Sequence, residues 1–436
     1  MKRFNRILLS TLIFALLVGL VGCATEAPKT APKAPEAPKI TEVKVGVVLP
    51  LSGNIAQTGT LVKQAMELAA DVVNNKYADL NVPCAATEGF PNFGGAKLKL
   101  VFLDSQNTPE KGMSAVEQLI TQEKVHAVMG AYSSAVTQTA SQAAEKLGIP
   151  FLNENSTSPG LTTRGFQWFW RCTPDDDMFT KNFFEFLKDM KEKKGKNLGT
   201  TIAMLYENTL WGADVAKAIQ KYAPQFGYKI IADIPYTARA ASLTGEIQQL
   251  KKANADIVML ASYVSDAILI QKTLKDLNYI PPVMLAQDSG HNDPNFVATV
   301  GDLANFIVSR EVYASSLLKL NPAIAKVDEM MKAKTGFPLD GNTGRGFMGM
   351  LVMADALSRA KSLSPADIAK ALSETNIPKD KVIFPWEGIK FDPTTHQITT
   401  GRGIIVQIQD KKYVPVWPFE IATAEVKLPI PAWNKR

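Results

Sequence analysis

Continuous runs of Val, Ile and Leu alternate with helical spacings along most of this chain, and that alternation leaves few folds open. Val43–Leu49 reads as a strand, and Leu61, Ala65, Leu68, Ala69 and Val72 after it share one helical face. Leu98–Leu103 predicts the next strand, Met113–Ile120 a helix, Ala127–Met129 a strand, Val136–Leu147 a helix and Pro150–Leu152 a short strand. A second series places strands at Thr201–Leu205, Ile230–Ile234, Ile257–Leu260 and Val283–Leu285, with helices at Ala213–Tyr222, Leu243–Lys252 and Ala267–Leu277. Strands without polar alternation are covered on both faces, the pattern of parallel sheets flanked by helices. Two such series imply an α/β protein with two doubly wound lobes. The break falls around Phe166–Asp177, where Gln167-Trp168-Phe169-Trp170-Arg171 gives way to an acidic helix start.

The first residues obey different rules. Lys2, Arg3 and Arg6 precede an almost wholly apolar run, Ile7 to Val21, which closes at Gly22-Cys23. Basic, apolar and small-residue zones in that order form an export leader. The apolar run is shorter than the ~20 residues a membrane span needs. Leu20-Val21-Gly22-Cys23 resembles the lipobox of bacterial lipoproteins, which implies cleavage before Cys23 and acylation of that residue. More than one acyl chain gives stable anchoring. The expected site of action is therefore extracytoplasmic, on a membrane facing the periplasm or cell exterior. Pro28, Pro32, Pro35 and Pro38, interleaved with Ala and Lys, predict an extended tether ahead of the folded body.

Composition narrows the function. Loss of the leader, with its three basic residues, takes the formal charge from +6 to +3, too mild to suggest a nucleic-acid partner. Of three cysteines, Cys84 and Cys172 remain for pairing or as separate buried thiols. His126, His291 and His396 are scattered, so neither a metal site nor a cofactor is expected. No phosphate-binding loop, nucleophile elbow or zinc-protease signature occurs, which argues against an enzyme.

In open α/β sheets, ligands sit beyond the carboxyl ends of strands. The turn after Ala127–Met129 carries Ser133 and Ser134, and the turn after Pro150–Leu152 carries Asn155, Ser156 and Thr157. Hydroxyls beside free backbone N–H groups suit a small carboxylate, although Ser134 and Thr157 could equally cap helices. In the second series Tyr263 and Asp288 follow strands, and an acid there could face an ammonium group.

Val45-Gly46-Val47-Val48-Leu49-Pro50-Leu51-Ser52-Gly53, Val128-Met129-Gly130 leading into Ser133-Ser134, and Thr157-Ser158-Pro159 resemble successive blocks of the Leu/Ile/Val-binding family. Arg164-Gly165-Phe166, Trp211-Gly212 and Asp256-Ile257-Val258 continue the series in order. The resemblance implies the type I periplasmic-binding-protein fold, two lobes joined by three crossovers that close on a ligand. It implies lobe 1 at residues 43–172 with 314–385 and lobe 2 at 173–313 with 386–436, after a leader (1–22) and lipidated tether (23–42). Carried over by position, Ser134, the Asn155 backbone and Thr157 hold a ligand carboxylate, Tyr263 and Asp288 face its ammonium, and Trp211 edges the cleft. Thr58 stands where many relatives have an aromatic residue, and Ser133 stands at a cysteine position of the family's first-lobe disulfide. The expected function is capture of a hydrophobic, branched-chain-like amino acid by a monomer that delivers it to an ABC permease. The alternatives are a receptor for urea, amides or aromatic carboxylates, and a ligand sensor for a signalling protein.

Overall fold

β1 (Glu42–Leu49) sets the pattern of the first half. Val43, Val45, Val47 and Leu49 pack into one core and Val48 into another on the opposite side, as a strand's two-residue period requires. Only the start of the strand, Glu42-Val43-Lys44-Val45, alternates; from Val45 on it is buried on both faces. In the computed structural model, which describes residues 40–319 and 321–435, the leader, Cys23 and the proline-rich stretch to Lys39 lie outside the described residues. No helix among the described residues is long and apolar enough to cross a membrane.

α1 (Ala56–Asn74), β2 (Lys97–Asp104), α2 (Pro109–Thr121), β3 (Ala127–Gly130), α3 (Ser134–Leu147), β4 (Phe151–Asn153) and β5 (Phe169–Arg171) complete the first sheet unit. Its five strands run in the order β2-β1-β3-β4-β5, and every pairing is parallel. The segment expected to be only a break, Trp168–Arg171, supplies the edge strand β5, with all three of its residues buried.

The second unit comprises α4 (Asp176–Lys194), β6 (Thr201–Glu207), α5 (Leu210–Tyr222), β7 (Lys229–Tyr236), α6 (Thr244–Ala253), β8 (Ile257–Ala261), α7 (Val264–Asp276), β9 (Val283–Ala286), α8 (Pro294–Val300) and β10 (Val308–Glu311). After it come α9 (Pro322–Thr335), α10 (Gly341–Arg359), α11 (Pro365–Ser373), the small pair β11 (Asn376–Ile377) and β12 (Ile389–Lys390), then β13 (Ile404–Gln409) and β14 (Lys412–Trp417). The larger sheet is ordered β14-β13-β10-β9-β8-β6-β7, with β13 and β14 antiparallel at its edge.

The chain passes between the lobes three times, after β5, after β10 and before β13. α9 and α10 return to pack on α1 in the first lobe. Both later crossings come later than the sequence suggests. Ala314 and Leu317 pack with Ile404 and Val406 of β13, so the stretch after β10 stays with the second sheet. The final return lies between Lys390 and Ile404, where Gln397 bridges to Arg171 of β5. Cys84 and Cys172 are both free thiols, and burial pushes the Cys84 thiol up to about 12.

Candidate functional site

The carboxyl ends of β3, β4, β8, β9 and β10 converge where the lobes meet. Gly130, the last residue of β3, has φ +125°, and a Cβ there would lie 2.1 Å from the Val48 carbonyl oxygen. Only glycine lets β3 end this close to β1 and turn into Ala131–Ser134. The neighbouring turn after β4 is stitched to it: Asn153 Nδ2 donates to Gly130 O at 2.8 Å, and Ser156 Oγ donates to Tyr132 O at 2.7 Å. Ser134 Oγ accepts from the Ser158 N–H at 3.3 Å. On the other lobe, a Cβ on Gly290 would sit 2.3 Å from the Tyr263 carbonyl carbon, so glycine also permits the tips of β8 and β9 to touch.

Ser134, Asn155, Thr157, Trp211, Tyr263 and Asp288, which the sequence singles out, all line one cavity. Tyr132, Ser289, Arg310, Asn342 and Arg345 line it as well. Its free volume is about 20 Å³, room for a water molecule but not for a six-carbon acid. Trp211 and Tyr263 pack tilted by 37° at 5.0 Å between centroids, and Tyr132 meets Tyr263 from the other lobe at 6.2 Å. Asn155 Oδ1 is buried without a hydrogen-bond partner.

Asp288 departs from expectation. It lines the cavity, but it is not a free carboxylate awaiting an ammonium group. Its Oδ2 accepts from Arg345 Nη2 at 2.7 Å and Arg310 Nη1 at 2.9 Å, and its Oδ1 accepts from Asn292 Nδ2 at 3.1 Å. Burial works to raise its pKa, yet the two guanidiniums, Arg345 foremost, outweigh burial and hold it below the usual carboxylate range. A carboxylate so engaged is already neutralised by two cations at Oδ2, and an ammonium reaching that oxygen has to compete with them.

The arginines were invisible as a pair because they lie far apart in sequence. Arg310 belongs to β10, where all four residues are buried, and a charge in such a strand signals a buried partner. Arg345 belongs to α10, whose Asp340 and Thr343 form a capping box at the start of an almost wholly buried helix. Arg310 also contacts Asp176, 3.3 Å from Nη2, and lies over the Phe179 ring at 3.7 Å. Burial raises Asp176 to about 6, with the Arg310 charge and the nearby Thr157 hydroxyl pulling the other way. Burial and then the Asp288 charge raise Glu311 to about 8, so at neutral pH it is mostly protonated. Two guanidiniums thus face the carboxylates of Asp288 and Asp176.

The Asp288–Arg345 pair also joins the lobes, since α10 packs on the first and β9 belongs to the second. Thr58 Oγ1 donates to Asp293 Oδ2 at 2.5 Å across the same gap. The arrangement is that of a closed cleft with a polar interior, able to hold a small anion by hydroxyl, amide and guanidinium donors. No cluster of metal-ligating side chains occurs among the described residues.

A family model described as periplasmic binding protein matches residues 42–412. The Leu/Ile/Val-binding protein homolog 7 of Brucella suis biovar 1 (strain 1330) is 26% identical over 403 residues, covering 90% of this chain and 96% of that protein. Among solved structures, a leucine binding protein, LivK, from Thermotoga maritima MSB8 superposes with a TM-score of 0.72 at 18% identity, over 86% of this chain and 97% of that one. A solute binding protein of an ABC transporter from R. palustris, in complex with 4-hydroxybenzoate, superposes with a TM-score of 0.71 at 17% identity, over 90% and 99%. The chain belongs to the periplasmic binding protein family, whose members work outside the cytoplasm.

Proposed function

We propose that this protein captures a small solute bearing a carboxylate and closes its two lobes on it before delivery to an ABC permease. The observation that carries the proposal is one polar cavity where strand-tip donors of the first lobe, Ser134, Asn155 and Thr157, meet the Arg310 and Arg345 guanidiniums. The state of Asp288 favours an acid without an α-ammonium group, because its charge is already met by two guanidiniums, the nearer at 2.7 Å. Tyr132, Trp211 and Tyr263 offer aromatic surface for an apolar body. The R. palustris neighbour, in complex with 4-hydroxybenzoate, shows that this fold can accept such an acid. Neutral ureas and amides would give the guanidiniums no new anion.

A second reading, a hydrophobic amino acid, is favoured by the Leu/Ile/Val-binding relatives. It requires Arg345 to release Asp288 as the ammonium arrives. In either case the lobes must part to admit the solute, and binding shifts the balance only by its preference for the closed form.

A thermal-shift panel of aliphatic acids, benzoates and amino acids tests the proposal. At one hundred times Kd a true ligand adds about 2.7 kcal/mol. Thr157→Val should weaken an acid that binds by about tenfold, the worth of a charge-assisted hydrogen bond. Unchanged affinity would remove Thr157 from the site. We also propose that Cys23 carries the lipid anchor. Cys23→Ser should then move the protein from the membrane fraction to the soluble fraction, and an unaltered distribution would refute the anchor.

A further inference from the structure

A second chamber adjoins the cavity on the far side of Trp211 and Tyr263, which line both. Its free volume is about 370 Å³, against about 20 Å³ for the inner one, so the body of a solute has room only here. Asn54, Asn107 and Ser133 face it from the first lobe, and Glu207, Arg239 and Asp266 from the second.

Two oxygens in its wall are without partners. Glu207 ends β6 and is 1% exposed. Its Oε1 accepts from Thr209 Oγ1 at 2.7 Å, but its Oε2 is buried with no hydrogen bond. Asn54 Oδ1, on the opposite lobe, is likewise buried and unpartnered. Both orphans are acceptors, and a buried acceptor left unsatisfied is destabilising until a donor reaches it. Asp266, 2% exposed, already accepts from the Arg239 backbone N–H at 2.8 Å. The Arg239 side chain is not that donor, since its one hydrogen bond runs across to Asn107 O at 3.4 Å.

We propose that the outer chamber is the subsite for the far end of the solute, and that Glu207, faced by Asn54, selects a solute whose far end carries an N–H donor, an amine above all. The proposal rests on the carboxylate reading of the inner cavity, which fixes the other end. Burial pushes Glu207 up to about 7, with Thr209 opposing the shift, Asp266 adding to it, and the nearby Tyr263 backbone N–H and Arg239 charge opposing it more weakly. An ammonium beside it would favour the ionised form and gain a charge-assisted bond.

Pentanoate and 5-aminopentanoate share a carboxylate and differ by one terminal ammonium, so calorimetric titration of both isolates the subsite. The wild-type protein should bind 5-aminopentanoate at least about tenfold more tightly. Glu207→Gln should shrink that advantage to less than about threefold while leaving pentanoate unchanged. Equal affinity of the two probes in the wild type, or an advantage that survives Glu207→Gln, overturns the proposal. If neither probe binds while 4-hydroxybenzoate does, the subsite falls and the carboxylate reading stands. If no carboxylate binds, both fall. Should Glu207→Gln fail to fold, Asn54→Ala decides: a selective loss for 5-aminopentanoate of at least about threefold supports the subsite, and no loss overturns it.

Discussion

Asp288→Ala should unfold about 3–5 kcal/mol more easily than the wild type, as measured by equilibrium denaturation without any ligand present. The reason is local. Removing the carboxylate leaves Arg310 and Arg345, 2% and 3% exposed at their side chains, facing each other without the anion between them. Arg310 retains Asp176, but the hydrogen bonds left to Arg345 go to the neutral Gly341 carbonyl and Asn342 amide oxygen, with Glu311 the one acid still near it. Asp288→Asn should lose nearly as much, because the amide accepts hydrogen bonds yet carries no charge. A side chain reserved for a ligand's ammonium would behave otherwise: its loss would abolish binding and leave the ligand-free stability close to that of the parent. A near-parental midpoint for Asp288→Ala would therefore restore it to the role the sequence suggests.

Arg171→Leu should be nearly as damaging, by about 2–4 kcal/mol, with ligand affinity lost alongside. Arg171 is fully buried on β5 and donates from Nη1 to Ser158 O at 2.5 Å, from Nη2 to Thr162 Oγ1 at 3.3 Å and from Nε to Gln397 Oε1 at 2.5 Å. Its own backbone N–H donates to His396 O, and its carbonyl accepts from the Ile398 N–H. One side chain thus ties the Asn155–Ser158 turn to the last segment that crosses between the lobes. Next to it, Trp170 stacks on His396 at 4.5 Å, reinforcing the same joint. The leucine variant leaves the Ser158 carbonyl without its donor and frees the turn that presents Thr157. Unfolding by denaturant reads the first effect and titration with a bound acid reads the second. A variant with parental stability and affinity would show that the joint does not position the turn.

The contrast between these two arginines and the residues picked from sequence shows what periodicity can and cannot reveal. Strand tips are local features: an apolar run ends, a turn begins, and its hydroxyls or acids can be named. Ser134, Thr157, Tyr263 and Asp288 were legible for that reason, and the structure brings them to one cavity. Pairing across the fold is not local. Arg345 lies 57 residues from Asp288 along the chain and on the other lobe, in a helix whose glycines disguise how deeply it is buried. Likewise β5 was hidden because its three residues, Phe169-Trp170-Arg171, include a charge whose partners, Ser158, Thr162, Asp175 and Gln397, lie outside the strand. The signal available was at Arg171, a charge at the end of an apolar run, and such charges need partners; Arg310, between Ser309 and Glu311, and Arg345, among Gly, Asn and Thr, stand in polar sequence that hides their burial. The lobe boundaries slipped at the crossings, where the Ala314–Leu317 stretch is apolar enough to belong to either sheet.

Leucine and 4-methylpentanoate have the same carboxylate and the same branched body and differ only in the α-ammonium group. Titrating both into the purified protein, under one set of conditions, asks directly whether the cleft is built around a guanidinium-paired Asp288. 4-Methylpentanoate binding at least as tightly as leucine is the predicted result. Tight leucine binding with no detectable affinity for 4-methylpentanoate would contradict it, because Asp288 would then have exchanged its arginines for the ammonium of the ligand.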